Sequence, residues 1–355
     1  MNKYYRLVGL IVFIGLTSIN WSPQELRLQI GELEAIKGSG TQIVGDVNEA
    51  LPAGKNVLWC ATLQMAWDAA GAQLGRPLQL EPKSPLAGAL NKRPFNLKWI
   101  DPPSVVVAQG TIGDGVLGEI DAKAKAKTGK PSKLLAQLKK DSAPSDLIFY
   151  ALLQKNMEFA KPFGKLGSWD VGGRSVPWFG FAPDQQGTAA LLDQTRVHHY
   201  GTKDDFVVEL LTTESGDQLI LAKLPTAPKS TEEISCSILA RLQATPPRAA
   251  GNDLLAVPNI VAEELTTFPQ LENHRVAGSH MFVRRAIQSI DFRMDEKGVK
   301  LSSEAAISFG CSASPQVIPR LLVLSPPFAL IMKRKDAPEP YFIAWFANAD
   351  LLRQK

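Results

Sequence analysis

Between two strand-like segments near the C-terminus runs MDEKGVKLSSEAAISFGCSASPQ, Met294 to Gln316. It is far longer than a turn, rich in small residues and without a histidine. Counted from Gly298, alternate residues separate into two sets. Val299, Leu301, Ser303, Ala305, Ile307 and Phe309 form one, and Lys300, Ser302, Glu304, Ala306 and Ser308 the other. Successive side chains of a strand point to opposite faces, so this is the pattern of a strand with one apolar or small-residue face. No proline interrupts it before Pro315, which leaves every backbone N–H free to join a ladder. A long connection thus carries the pattern of a strand that could sit inside a sheet.

The segments around it set the fold class. PQELRLQIGELEA (23–35) and VLWCATLQMAWDAAGAQL (57–74) have the apolar spacing of helices. Short runs rich in β-branched and aromatic residues read as strands: SVVVAQG (104–110), DLIFYALLQ (146–154), DDFVVELLTT (204–213), DQLILAKLP (217–225), AIQSIDFRMD (286–295), LLVLS (321–325), FALIMKR (328–334) and YFIAWFA (341–347). Glu214-Ser215-Gly216-Asp217 joins two of them as a hairpin turn. Helices come early and strands late, the profile of an α+β protein with much antiparallel sheet.

Composition limits the function. A net charge of +4 over 355 residues gives no strong basic face for nucleic acid. Asp121 to Asp141 is lysine-rich, but its lysines fan around a helix and no aromatic residue interleaves, so it reads as a solvated helix and loop. At the N-terminus, Lys3 and Arg6 precede an apolar run from Leu7 to Leu16, extended weakly to Ile19. That is short for a bilayer span and reads as an export signal over residues 1–22. The cleavage site is poor, so an uncleaved membrane anchor over residues 7–19 is the alternative. Residues 23–355 are expected to form one domain, secreted, periplasmic or extracellular. Three cysteines, Cys60, Cys236 and Cys311, leave at least one unpaired within the chain.

No catalytic constellation emerges. Gly113 to Gly118 matches G-x-G-x-x-G but lacks the second strand and acidic residue of a dinucleotide site. His198 and His199 are adjacent and on a strand point apart. His274 and His280 have no metal-site spacing. Cys311 with either of them would make a thiol enzyme, but no local signature accompanies it. No cofactor and no metal are expected.

Several segments, in order, resemble the serpins. Asp295-Glu296-Lys297-Gly298 is similar to the E-E-G-T-like signature that opens that family's reactive loop. Pro327-Phe328-Ala329-Leu330-Ile331 and then Tyr341 to Ala347 resemble its closing hairpin. KNVLWCATLQMAWDAAGAQLG (55–75) resembles the N-V-x-x-S-P helix, SVVVAQGT the A-N-x-x-x-V segment, and SDLIFYALLQKNMEFAKPF (145–163) the central strand with its K-P-F ending. DDFVVELLTTESGDQLILAKLP is similar to a large-sheet hairpin. Together these cover most of residues 45 to 350.

The resemblance implies helices packed around a large mixed β-sheet, further antiparallel sheets and an exposed loop offered to a protease. It implies a hinge at Glu296, Lys297, Gly298, Val299, Leu301, Ser303 and Ala305, and a scissile bond within Cys311, Ser312, Ala313, Ser314, Pro315, Gln316 and Val317. Counting forward from Glu296 gives Ser312–Ala313; counting back from Pro327 gives Gln316–Val317. Between Ser302 and Pro319 there is no arginine or lysine, so elastase-, subtilisin- or papain-like targets fit better than trypsin-like ones. The family's sheet-opening positions are altered: Cys60 and Leu63 stand for serines, Gln288 for a histidine, Ala151 for an asparagine and Phe159 for a tryptophan. Two functions stay open: a monomeric, non-enzymatic inhibitor that traps its protease by loop insertion, and a binding or scaffold protein that has lost the trap.

Overall fold

The computed structural model describes residues 40–140, 142–183, 188–244, 246–299 and 319–353. Strands are numbered along the chain. The largest sheet has eight, in the order β1 (Thr41–Ile43), β2 (Asn56–Cys60), β21 (Phe342–Phe346), β20 (Phe328–Arg334), β11 (Asp217–Lys223), β10 (Asp205–Leu210), β9 (Thr195–Thr202) and β12 (Arg248–Ala249). It is mixed: β1 runs parallel to β2 and the remaining pairs are antiparallel. A second sheet has the order β19 (Leu321–Val323), β13 (Leu254–Pro258), β8 (Arg174–Phe181) and β7 (Gly164–Val171). A third runs β14 (Ile260–Thr267), β17 (Ile287–Asp295), β18 (Gly298–Val299) and β6 (Met157–Glu158). Smaller sheets are β16 (Phe282–Val283), β15 (His274–Val276) and β3 (Leu80–Glu81), and the pair β4 (Val105–Thr111) with β5 (Leu147–Leu153).

Three of the six helices among the described residues shape the region of interest. Helix α1 (Thr62–Leu74) packs under β4, β5 and β17. It ends on Gly75, whose left-handed φ of 65° lets its N–H reach the Ala72 carbonyl. The next long helix, Val116–Thr128, and the short Leu135–Lys139 cover the other face of β4 and β5. They form a small core of their own, with Ala108, Val116, Ile120, Leu138, Ile148 and Tyr150 buried together and apart from the main core.

Most strand expectations hold. β10 and β11 form the expected hairpin, its turn closed by the Asp217 N–H donating to the Glu214 carbonyl. The helix expected to begin at Val57 begins only at Thr62. Asn56 to Cys60 is instead a strand, buried at every residue between β1 and β21. A fully buried strand shows no alternation, so its apolar run merges with the helix that follows. The hairpin of β7 and β8 was not expected. It turns at Gly172-Gly173, φ 60° and 81°, the double left-handed geometry that two glycines supply without strain. The helix expected at residues 23–35 lies outside the described residues.

The lysine-rich stretch is indeed helix and loop. Lys123 pairs with Glu119 at 2.6 Å and Lys125 with Asp121 at 2.7 Å, both one turn apart. Gly113 to Gly118 is the turn from β4 into the second helix. Because β4 pairs antiparallel with β5, this is no parallel crossover of the dinucleotide-binding kind.

A candidate strand-accepting slot

β17 is bonded to β14 from Ile287 to Met294 on one side, and β5 to β4 along its full length. Among the described residues, no ladder joins the facing edges of β5 and β17. Between them, above α1, lies a cavity of about 1290 Å³. Its floor is apolar: Leu63, Ala66, Trp67, Ala70 and Leu74 of α1. Its walls are two strand edges, whose backbone donors and acceptors are matched best by another strand.

One end of this slot is closed by a tight turn. Met294 pairs with Val299 and Asp295 with Gly298, so β18 folds straight back along β17. On its other side Gly298 pairs with Glu158 and Val299 with Met157. The Lys297 N–H donates to Asp295 Oδ1 at 2.9 Å inside the turn. Next to it, the Phe159 N–H donates to the Lys297 carbonyl at 2.9 Å and the Phe163 N–H to the Glu296 carbonyl at 2.7 Å. Burial raises the Asp295 carboxyl above the ordinary carboxylate range, and its hydrogen bond to Lys297 opposes that. Glu296, almost buried, pairs with Lys165 at 3.3 Å. At Gly298 (φ 139°) a Cβ would lie 2.4 Å from the Met157 carbonyl oxygen, so only glycine fits.

Of the sheet-opening positions, Cys60, Leu63, Ala151 and Gln288 meet in the slot. Gln288 is buried, and its Nε2 donates to Thr62 Oγ1 at 2.8 Å and to the Cys60 carbonyl at 2.9 Å. Its Oε1 is buried with no partner. Burial pushes the Cys60 thiol up. Phe159 stands apart, bridged to Thr212 beyond the closed end and edge-on to Phe163 with ring centres 4.8 Å apart. The hinge positions Glu296, Lys297, Gly298 and Val299 form the closing turn. Leu301, Ser303 and Ala305 lie outside the described residues, as do Cys311, Ser312, Ala313, Ser314, Pro315, Gln316 and Val317.

Two features had no reading in the sequence. Lys155 and Asp217 form a buried ion pair at 2.6 Å, with the Lys155 ammonium 5.8 Å from the Tyr341 ring centre. Burial, together with Asp217, drives the Tyr341 phenol well above its usual range. Thr62 has its role only because Gln288 folds against it. Neither pair has a spacing that a sequence pattern could flag. The histidines are held locally: His198 by Glu209 at 2.9 Å, His199 by Asp205 at 3.1 Å and His274 by the Glu272 carbonyl at 2.8 Å.

No family model matches the sequence, and no curated protein does. Solved structures do match. Thyroxine-binding globulin in complex with thyroxine aligns with a TM-score of 0.50 at 13% identity, over 83% of this chain and 93% of that one. Mouse protein-Z dependent protease inhibitor aligns with a TM-score of 0.50 at 14% identity, over 82% of this chain and 91% of that one. The fold is serpin-like. At such identity it is the architecture that is shared: helices around a large mixed sheet, with smaller sheets beside it. No helix among the described residues is long and apolar enough to cross a membrane.

Proposed function

We propose that this serpin-like chain is an inhibitor of an extracytoplasmic serine or cysteine endopeptidase, acting by cleavage of its loop and insertion of residues 299–309 into the slot. It is not itself an enzyme. The protease nucleophile attacks a carbonyl between Cys311 and Val317, the amine leaves, and the acyl-enzyme is carried with the inserting strand.

One observation carries this reading: the register already begun at the closing turn. Continuing the pairs Met294–Val299 and Asp295–Gly298 sets Leu301 opposite Phe292, Ser303 opposite Ile290 and Ala305 opposite Gln288. Phe292, Ile290 and Gln288 are, with Met294, the buried residues of β17, and Asp291 between them is exposed. Directly opposed residues share a face. The apolar set of the loop would therefore turn toward α1, and Lys300, Ser302 and Glu304 toward the opposite, more polar face. On the Met157 side the same count brings Ala305 level with Ala151 and Phe309 with Leu147, the first residue of β5. The eleven alternating residues match the length of the slot. Leu301, large for such a strand, comes level with Phe292, which stacks on Phe342 at 5.0 Å.

A second reading, a binding or scaffold protein without the trap, is favoured by Gln288. Its unpartnered Oε1 would meet Ala305, which brings no donor, so insertion leaves that acceptor unmet. The experiment that separates the two uses the full chain with elastase-, subtilisin- and papain-type proteases. A denaturant-resistant complex, with the cut between Cys311 and Val317 mapped by intact mass, supports the inhibitor. A clean cut with neither a complex nor a rise in Tm refutes it and favours the scaffold.

A further inference from the structure

Away from the closed end, the slot is crossed by charges. Arg284, just before β17, gives two hydrogen bonds to Asp146, just before β5: Nε to Oδ2 and Nη2 to Oδ1, each 3.2 Å. Lys133, in the segment between the two covering helices, reaches Asp291 of β17 at 2.9 Å. Both cations and both carboxylates line the cavity. Each pair links the unit made of β4, β5 and their two helices to β17. That unit has its own small core, and what it shares with β17 underneath is the apolar surface of α1. Apolar contact is non-directional and does not fix the spacing of two edges, whereas a two-point guanidinium–carboxylate pair does.

We infer that Arg284–Asp146, at the open end of the slot, and Lys133–Asp291, at the middle of β17, form an ionic clasp over the slot, which makes access to the slot depend on ionic strength. The inference deepens the reading of the slot as a strand acceptor and rests on it for its meaning, though its test does not. Arg284 and Lys133 are about half exposed, at 48% and 52%, so salt reaches both pairs. Screening shortens from about 10 Å at 0.1 M to about 3 Å at 1 M. The buried Lys155–Asp217 pair at the other end is shielded and should not respond. Exposed pairs of this kind are individually weak, so loss of each is expected to speed opening about two- to five-fold.

Asp146 also accepts the Ala143 N–H at 2.8 Å, which keeps its carboxyl below the usual range, so the substitutions belong on the cations. Hydrogen exchange by mass spectrometry would follow peptides spanning 147–153 and 287–293 in the intact full chain, in low salt and in 1 M NaCl, with 219–223 of the large sheet as reference. In the wild type the two slot edges should exchange faster in high salt while the reference stays unchanged. Lys133→Gln with Arg284→Gln should exchange fast at both salts, and Arg284→Lys should restore part of the salt response. Edge exchange that ignores salt in the wild type, or that is unchanged in the double variant, overturns the clasp. Because the loop is uncut throughout, a failure of loop insertion leaves this result standing, and the reverse holds too.

Discussion

Ala305→Asp and Ala306→Asp place the same charge one residue apart on opposite faces of the proposed inserted strand. At position 305 the carboxylate would enter beside Gln288, itself 3% exposed, over α1. A buried carboxylate with no cation takes up a proton instead of remaining charged. Holding an aspartate neutral at pH 7 costs about 1.4 kcal/mol for each pH unit above its usual value near 3.9, so about 4 kcal/mol. For a chain of this length that is about 6 °C of the Tm gained on insertion. The penalty works through a raised pKa in the inserted state: it is largest at neutral pH and fades as pH falls toward 4. At position 306 the carboxylate lies on the opposite face, level with half-buried Ile287 and with Tyr150 under the covering helices, away from the Gln288 floor, so more of the gain in Tm should survive than at 305. The assay cuts each variant once in the loop with a subtilisin-type protease and compares Tm before and after, at pH 7 and pH 5. Equal behaviour of the two variants would refute the register, and with it the claim that the apolar face turns inward.

Three further outcomes follow from the slot. Ala305→Thr should supply the donor that Gln288 Oε1 lacks and, for a hydrogen bond worth about 1 kcal/mol, speed insertion roughly five-fold; the gain should vanish in Gln288→Leu, measured as the rate of complex formation. Gly298→Val should break the closing turn, since its Cβ would sit 2.4 Å from the Met157 oxygen, and lower the urea midpoint of the uncut protein. Lys155→Met leaves Asp217 as a buried, unpaired charge and should cost about 3–5 kcal/mol by urea unfolding, much of it regained in Lys155→Met with Asp217→Leu.

Much of this architecture is legible in the sequence. Strands such as β17 and β10 announce themselves by alternation or by β-branched content. The strand pattern of Val299 to Phe309 is visible without any neighbour. β2 was hidden because burial on both faces removes alternation, and because Cys60 leads into α1 with only Ala61 between. The β7–β8 hairpin does carry a sequence signal, Gly172-Gly173 flanked by alternating strands that hold the stacked Trp169 and Trp178. The slot is a different matter. Gln288 meets Thr62 across 226 residues and Lys155 meets Asp217 across 62, contacts that no local period encodes. Resemblance brought Cys60, Leu63, Ala151 and Gln288 forward as one group, and they do share the slot. It also brought Phe159, which packs on the far side of the closing turn.

The turn at Asp295 to Gly298 has one more consequence, for how the chain can change. By fixing where the strand would start, it gives residues 299–309 a reading frame of period two. Losing one residue there would send every later side chain to the wrong face. Beyond Phe309 no such frame applies, so if the loop is bait as proposed, it can lengthen, shorten or change its residues while the strand behind it stays in phase. The two counts for the scissile bond, which differ by a few residues, fall in that unframed part. On the proposed function, target choice and trap are thereby separable, one free to drift and the other held to parity.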